Sequence, residues 1–332
     1  MDDLITNISL FPTEKEAVEY YFRFYRKNGF PDYDISDYNY QVELSNLIKF
    51  DESSILLNNK ELKQTMHNLG FLWSIFPHWI ETSTEVSDSI QTLWKDDSKL
   101  YELIKKTVQY AIKHNNSIWT ENRIRQNAKV YLSKQSVSNF RPTVAKYIYN
   151  TYGNNGKVFD PCAGWGGRFL GYLASDCIEY VCCDPSINTY KGLLKLQELY
   201  EYTDKKSIIN NVCAEDYYYK DDYFDLVFTS PPYFNTEHYS NEDSQSYVRY
   251  ATYDVWRDNF LKPLIVNSYK MLKLKGYFII NIADVKTALT LEKDTVEFAL
   301  GCGFTLEDTL KLVLSSISGK GKKYEPVFIF KK

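Results

Sequence analysis

Val158-Phe159-Asp160-Pro161-Cys162-Ala163-Gly164-Trp165-Gly166-Gly167-Arg168 is the stretch on which the fold turns. An apolar run ending in aspartate, a glycine-rich turn and a second apolar run give the order strand, turn, helix. Glycines in such a turn let the backbone approach a ligand, and the helix start offers free N–H groups to an anionic group. In a doubly wound sheet, ligands bind beyond the carboxyl ends of the strands. Asp184 ends the next apolar run, where an acid accepts hydrogen bonds from ribose hydroxyls. The dinucleotide pattern G-x-G-x-x-G is not met, because Phe169 stands at the third glycine position. That disfavours a dehydrogenase.

Outward from this stretch, residues 157–160, 178–184, 207–213, 224–229 and 276–282 read as buried strands. Residues 167–175, 187–200 and 254–272 read as helices between them, the last kinked at Pro263. Strands alternating with helices predict a parallel sheet covered on both faces. A helix near 292–300 precedes two further strand-like runs, 305–314 and 326–330. A Gly-Lys-rich turn at 318–323 joins them, so they are expected to pair as an antiparallel hairpin at the sheet edge. The expected architecture is an α/β, doubly wound Rossmann-like sheet over 141–332, preceded by a mainly helical region over 1–140.

A second chemical signal lies just past the strand at 224–229, in Thr229-Ser230-Pro231-Pro232-Tyr233. Two consecutive prolines hold an irregular backbone and leave carbonyls without competing N–H donors. A serine hydroxyl, a fixed proline carbonyl and an aromatic ring make a pocket suited to a planar ring bearing an amino group.

Taken together, Asp160-Pro161-x-x-Gly164-x-Gly166 and Ser230-Pro231-Pro232-Tyr233 resemble the cofactor and catalytic motifs of the S-adenosylmethionine-dependent DNA amino-methyltransferases, in their usual order. The resemblance covers about 141–332 and implies the class I methyltransferase fold. It implies that Asp160 holds the methionine ammonium of S-adenosylmethionine and Asp184 its ribose. Pro161, Cys162, Ala163, Gly164 and Gly166 would form the turn around the cofactor, with Pro185 beside Asp184. Ala214, Glu215 and Asp216 would hold the adenine, and Arg141 and Thr143 belong to the segment that closes over the methionine moiety. Trp165 departs from the small residue common at its position, and Cys213 sits where an acid is frequent. In the implied mechanism Ser230 and the Pro231 carbonyl accept the two N–H bonds of an exocyclic amine, and Pro232 stiffens the loop. The methyl group then transfers in line to a flipped base on which Tyr233 stacks. In the family, serine before Pro-Pro goes more often with cytosine N4 than with adenine N6. An RNA or tRNA guanine-amino methyltransferase shares both motifs. A protein-glutamine methyltransferase would carry asparagine in place of Ser230, and a catalytically silent nucleic-acid-binding subunit would not need the full constellation.

The polar, tyrosine-studded segment 234–253 follows the catalytic motif and reads as a lid or as a surface loop, with His238 and Arg249 its functional candidates. Little sequence follows the last strand, so a target-recognition role, if one exists here, is expected of 1–140, helped by the basic stretch Arg123 to Arg141. There Thr13-x-x-Glu16 marks a capped helix stopped by Gly29, and Leu100, Leu103, Ile104, Val108, Ala111 and Ile112 form an apolar stripe. The aromatic run 71–79 reads as packed core. Net charge is -4 at pH 7, which argues against a generally basic coat protein, yet the distribution is uneven. Residues 118–148 set Arg123, Arg125, Lys129, Lys134, Arg141 and Lys146 against Glu121 alone. Such asymmetry suits a polyanion groove on an acidic body, with Arg123, Arg125 and Lys129 as phosphate contacts and duplex DNA as the partner, in a restriction-modification or phage setting. The six cysteines lack C-x-x-C spacing, which disfavours a zinc site. The acidic start and the absence of a long apolar run lead to the expectation of a cytoplasmic protein.

Overall fold

Ten strands lie among the described residues: β1 Glu61–Leu62, β2 Ser83–Thr84, β3 Lys157–Asp160, β4 Glu179–Cys183, β5 Lys206–Asn210, β6 Phe224–Thr229, β7 Glu237–His238, β8 Leu272–Asn281, β9 Thr305–Val313 and β10 Tyr324–Lys331. The computed structural model describes residues 4–57, 60–133, 137–314 and 323–332. Eight strands form one sheet in the order β1-β9-β10-β8-β6-β3-β4-β5. The inner strands β5, β4, β3, β6 and β8 are parallel, and β10 runs antiparallel between β8 and β9. This is the doubly wound, Rossmann-like sheet with an antiparallel C-terminal pair that the alternation of apolar runs implies. The turn expected at 318–323 lies outside the described residues apart from Lys323. From β3 the chain lays β4 and β5 on one side, then returns to lay β6 on the other. The order therefore reverses between β3 and β6.

Strands β3, β4 and β6 are buried almost along their whole length because helices cover both faces, whereas β5 at the edge is half-buried. Phe159, Val181, Phe224, Val227, Phe278 and Ile280 belong to one buried cluster with Trp256, Phe260 and Leu264 from the segment that precedes β8. Pro263 does not simply kink that segment. Helix Tyr253–Trp256 passes into a π turn, Arg257–Leu261, and then into helix Lys262–Met271. A proline removes one N–H and crowds the carbonyl one turn earlier, and a widened turn relieves both.

The chain divides into two compact units, and the division is not at residue 140. One unit takes residues up to Tyr33, Pro77–Ser138 and Glu237–Tyr239; the other takes Asp34–Phe76, Asn139–Thr236 and Ser240–Lys332. Residues 34–76 thus pack with the sheet. β1 pairs parallel with β9, and the buried Lys146 ammonium caps the end of helix Tyr40–Lys49 through the carbonyls of Ile48 and Phe50, both at 2.8 Å, and pairs with Glu52 at 2.8 Å. The aromatic run 71–79 is packed core: Phe71, Trp73, Phe76 and Trp79 are all buried. Phe76 fills the space beside Gly166 and Gly192, where an added Cβ would lie 3.0 Å and 2.4 Å from its ring.

In the helical unit, Thr13 caps helix Glu14–Asn28 by accepting the Glu16 N–H, and Gly29 ends it at φ 86°. Tyr21 stacks on Trp119 with ring centroids 3.7 Å apart, and the Trp119 indole donates to Tyr25. Leu100, Leu103, Ile104, Val108 and Ala111 are buried along helix Asp97–Lys113, while Ile112 is exposed. No helix among the described residues is long and apolar enough to cross a membrane.

Candidate active site

The glycine turn is built by three tethers. Ala163 N–H donates to Cys183 O at 2.9 Å, Gly164 N–H to the Asp184 carboxylate at 3.0 Å, and Cys162 N–H to Thr229 Oγ1 at 3.2 Å. The ends of β3, β4 and β6 are thereby joined at the crevice where strand order reverses. Gly164 and Gly166 have φ of 58° and 72°, a region L side chains rarely adopt. Gly167 is required by space: its Cβ would lie 2.0 Å from the Phe140 carbonyl. Gly164 faces open space, since a Cβ there would meet nothing nearer than 4.0 Å. The backbone is therefore accessible to a ligand at Gly164 and sealed by protein at Gly166 and Gly167. Pro161 and Ala163 are buried, and Cys162 is half-buried with its thiol pushed up by burial.

Asp160, to which the motif assigns the methionine ammonium, has both carboxylate oxygens engaged by protein donors in this structure. It is fully buried and accepts four hydrogen bonds: from Arg168 Nε at 2.8 Å, Arg168 Nη2 at 3.2 Å, Tyr180 OH at 2.7 Å and Cys162 N at 3.3 Å. An ionised carboxylate has about four lone-pair sites, so Asp160 has none left. Arg168 also donates to the Cys162 carbonyl and lies over the rings of Phe140 and Phe228. Arg168 carried a legible signal, an arginine opening the apolar run Phe169-Leu170-Gly171-Tyr172-Leu173, because a buried cation needs a carboxylate close by.

Asp184 is different. Gly164 N–H occupies one oxygen and Ser186 N–H the other, each at 3.0 Å, leaving a lone pair on both. Burial pushes its carboxyl up to about 7, against the two backbone donors, which act to lower it. Asn211 fixes the following backbone by donating to the carbonyls of Asp184 and Pro185.

After β5, Ala214–Asp216 form a short 3-10 turn. Arg249 Nη1 reaches Glu215 Oε1 at 2.5 Å and Asp216 Oδ2 at 2.8 Å. Glu215 is buried, burial raises its carboxyl, and its Oε2 has no hydrogen-bond partner among the described residues. Cys213, Glu215 and Asp216 bring potential metal-ligand atoms within 4.8 Å of one another, but the Arg249 guanidinium already answers both carboxylates. The segment 240–250 is pinned as well as polar: Glu242 accepts the Ile187 N–H at 2.9 Å, and Ser244 donates to Pro185 O at 3.3 Å.

Ser230-Pro231-Pro232-Tyr233 leaves the end of β6. Ser230 Oγ donates to Asn281 Oδ1 at 3.4 Å, and Asn281 Nδ2 donates to Pro326 O at 3.0 Å, which fixes the amide orientation. Tyr233 OH donates to Glu325 Oε2 at 3.2 Å. Neither Asn281 nor Glu325 is announced by a motif; both arrive through the pairing of β8 with β10.

The remaining candidates are placed elsewhere. Arg141 is the N-cap of helix Pro142–Tyr152 and donates to Gln64 Oε1 and Asn139 O, both at 3.0 Å, with burial lowering its pKa. Thr143 is buried against Thr65, hydroxyl to hydroxyl at 2.8 Å. In the helical unit, Arg125 is not a free phosphate contact: it donates to the carbonyls of Pro31 and Asp32 and lies over Tyr33. Lys129 lies over the Trp79 ring at 4.3 Å, Arg123 donates to Asn116 O at 3.3 Å, and His238 pairs with Ser83 in the ladder of β7 and β2. Arg249 is likewise taken up by carboxylates. Lys134 lies outside the described residues. Basic side chains on a helical unit are as useful for capping carbonyls and covering rings as for binding anions, and sequence cannot separate the uses.

The sequence matches no protein-family model and no curated protein. Among solved structures, the chain is similar to an S-adenosylmethionine-dependent methyltransferase from Methanosarcina mazei, at 16% identity and a TM-score of 0.39, over 56% of this chain and 96% of that one. It is similar to magnesium protoporphyrin IX methyltransferase from Synechocystis, solved with S-adenosylmethionine bound, at 14% identity and a TM-score of 0.38, over 57% and 76% of the two chains. It is also similar to the [4+2]-cyclase SpnF, at 12% identity and a TM-score of 0.39, over 52% and 60%.

Proposed function

We propose that this chain is an S-adenosylmethionine-dependent methyltransferase acting on the exocyclic amino nitrogen of a nucleobase in DNA, with N4 of cytosine favoured over N6 of adenine. The observation that carries the reading is the adjacency of its two motifs. The glycine turn after β3 and Ser230-Pro-Pro-Tyr233 after β6 flank the crevice at the strand-order reversal, tied by the bond from Cys162 N–H to Thr229 Oγ1.

The donor set fits the cofactor in two places. The open lone pairs of Asp184 suit ribose hydroxyls, and Glu215 Oε2, without a hydrogen bond among the described residues though the Tyr250 phenol lies near, suits a donor such as an adenine amine. Asp160 keeps another task, holding Arg168 and through it the Cys162 carbonyl, so that the turn keeps its shape.

When bound, the sulfonium supplies an electrophilic methyl group. An exocyclic amine is a poor nucleophile because its lone pair is delocalised into the ring. Ser230 donates its O–H to Asn281 Oδ1, which leaves the Ser230 oxygen to accept from the amine. With the Pro231 carbonyl as second acceptor, the nitrogen would be held pyramidal; on gaining the methyl carbon it would release one N–H proton to solvent, and positioning supplies much of the rate. In duplex DNA the base must be flipped out, and Tyr233 offers a stacking surface.

The test is incubation with unmethylated DNA and methyl-labelled cofactor, followed by nucleoside analysis. Label is expected in N4-methylcytosine, and Ser230→Ala should remove most of it while cofactor binding persists. Label in 5-methylcytosine, or none in DNA while RNA accepts it, overturns the reading.

A further inference from the structure

We propose that Glu325 is a positioning residue of this reaction, holding the Tyr233 phenol so that its ring stays fixed beside Ser230. The inference rests on the methyltransferase reading above and adds a residue that the catalytic motif does not contain. Glu325 is the second residue of β10, a strand flanked by partners on both sides, and its side chain is half-buried there. A carboxylate in such a place costs desolvation and needs compensation. The compensation is Tyr233, whose OH donates to Glu325 Oε2 at 3.2 Å and lies 3.5 Å from Asn281 O.

The two polar side chains of the motif are thus supported by two adjacent strands. Asn281, the last residue of β8, accepts the Ser230 hydroxyl on its Oδ1 and donates one amide N–H to Pro326 O. Glu325, next to Pro326, accepts the hydrogen bond of the Tyr233 phenol. Pro326 has no N–H of its own, so nothing at that residue competes as a donor with the Asn281 amide. One strand crossing therefore sets both the acceptor and the ring of the motif, with the Asn281 side chain reaching both Ser230 and Glu325.

The pairing carries a sign. Ionised Glu325 can only accept, which forces the phenol to donate and fixes its direction. Protonated Glu325 becomes a donor itself, and the phenol loses that constraint. Burial raises this carboxyl from its ordinary value, while Lys323 on the approach to β10, the Tyr233 phenol and the Asn281 amide act to lower it. On β9 the residue in register is the apolar Leu312. Activity is therefore expected to fall on the acid side as Glu325 takes up its proton.

Single-turnover methylation of DNA across pH tests this in the full-length protein, with cofactor affinity measured in parallel by calorimetry. Glu325→Gln, which keeps the shape and removes the titration, should slow methylation by about tenfold or more, as loss of a hydrogen bond to a charged group does. It should also abolish the acid limb and leave cofactor affinity within about twofold, well below the step expected from losing a hydrogen bond. Tyr233→Phe, with Glu325 intact, should show the same loss and the same missing limb, and the double variant should be no slower than Tyr233→Phe alone. Wild-type rates in Glu325→Gln, or losses that multiply in the double variant, overturn the proposal. If Glu325→Gln does not fold, Tyr233→Phe decides alone: a retained acid limb overturns the proposal. A wild-type protein that binds cofactor but methylates no nucleic acid overturns instead the reading on which the proposal rests.

Discussion

The ends of β3 and β4 lie side by side in the sheet, and each carries an aspartate that sequence alone would make a ligand. Asp160 has four donors on four lone-pair sites, two of them from a buried guanidinium. Asp184 has two donors, both backbone N–H groups of neighbouring turns. The first is a closed structural pair and the second an open acceptor. The motif position of an acid does not decide its use; the neighbours that fill its lone pairs do.

The sharpest break in this comparison is Asp160→Ala. It leaves Arg168 buried without its partner, and removing one member of a buried pair costs about 3–5 kcal/mol. The urea midpoint should fall accordingly, and replacing Arg168 with Met in the same chain should recover much of the loss. An unchanged midpoint together with lost cofactor binding would make Asp160 a ligand after all.

Asp184→Ala should act on binding. A hydrogen bond to a charged group contributes about 1.5–3 kcal/mol, so cofactor affinity should fall by roughly 10- to 100-fold in calorimetry. Wild-type affinity in this variant would erase the distinction between the two acids.

A third effect is the pH dependence of the same carboxyl. Its folded value, about 7, lies above the ordinary value near ~4. Between the two, the folded protein holds a proton that the unfolded chain releases. Its contribution to stability is present below about pH 4 and is lost as pH rises through about 7. Cofactor affinity should move the other way, rising through the same window as the carboxylate forms. Asp184→Asn should flatten both profiles, and a binding profile still rising in that variant would assign the titration to another group.

The sheet and both loops were legible because each rests on local pattern. Apolar runs alternate with amphipathic ones from Val158 onward, glycines stand where φ is positive at Gly164 and Gly166, and Pro231-Pro232 stiffens the loop after β6. What escaped was the set of contacts between residues distant in sequence. Tyr180 fills Asp160, Arg249 fills Glu215 and Asp216, and Glu325 meets Tyr233 only because β10 inserts beside β8. Arg125 and Lys129 escaped for another reason: a cation over a tyrosine or tryptophan ring and a cation on a phosphate have the same sequence.

The two-residue pairing of Glu61 and Leu62 with Lys311 and Leu312 bears on how the protein is made. During synthesis the segment 34–76 emerges before any strand of the sheet it will join, and its partner β9 is among the last to follow. The outermost ladder can close only across most of the chain, the kind of distant pairing that slows folding. Until it closes, β9 presents unpaired backbone at Lys311 and Leu312 on its outer side, which invites pairing with other chains. A fragment beginning at residue 141 would keep that side bare permanently, so attempts to produce the sheet alone should retain residues 34–76, supplied in the same chain or as a separate piece.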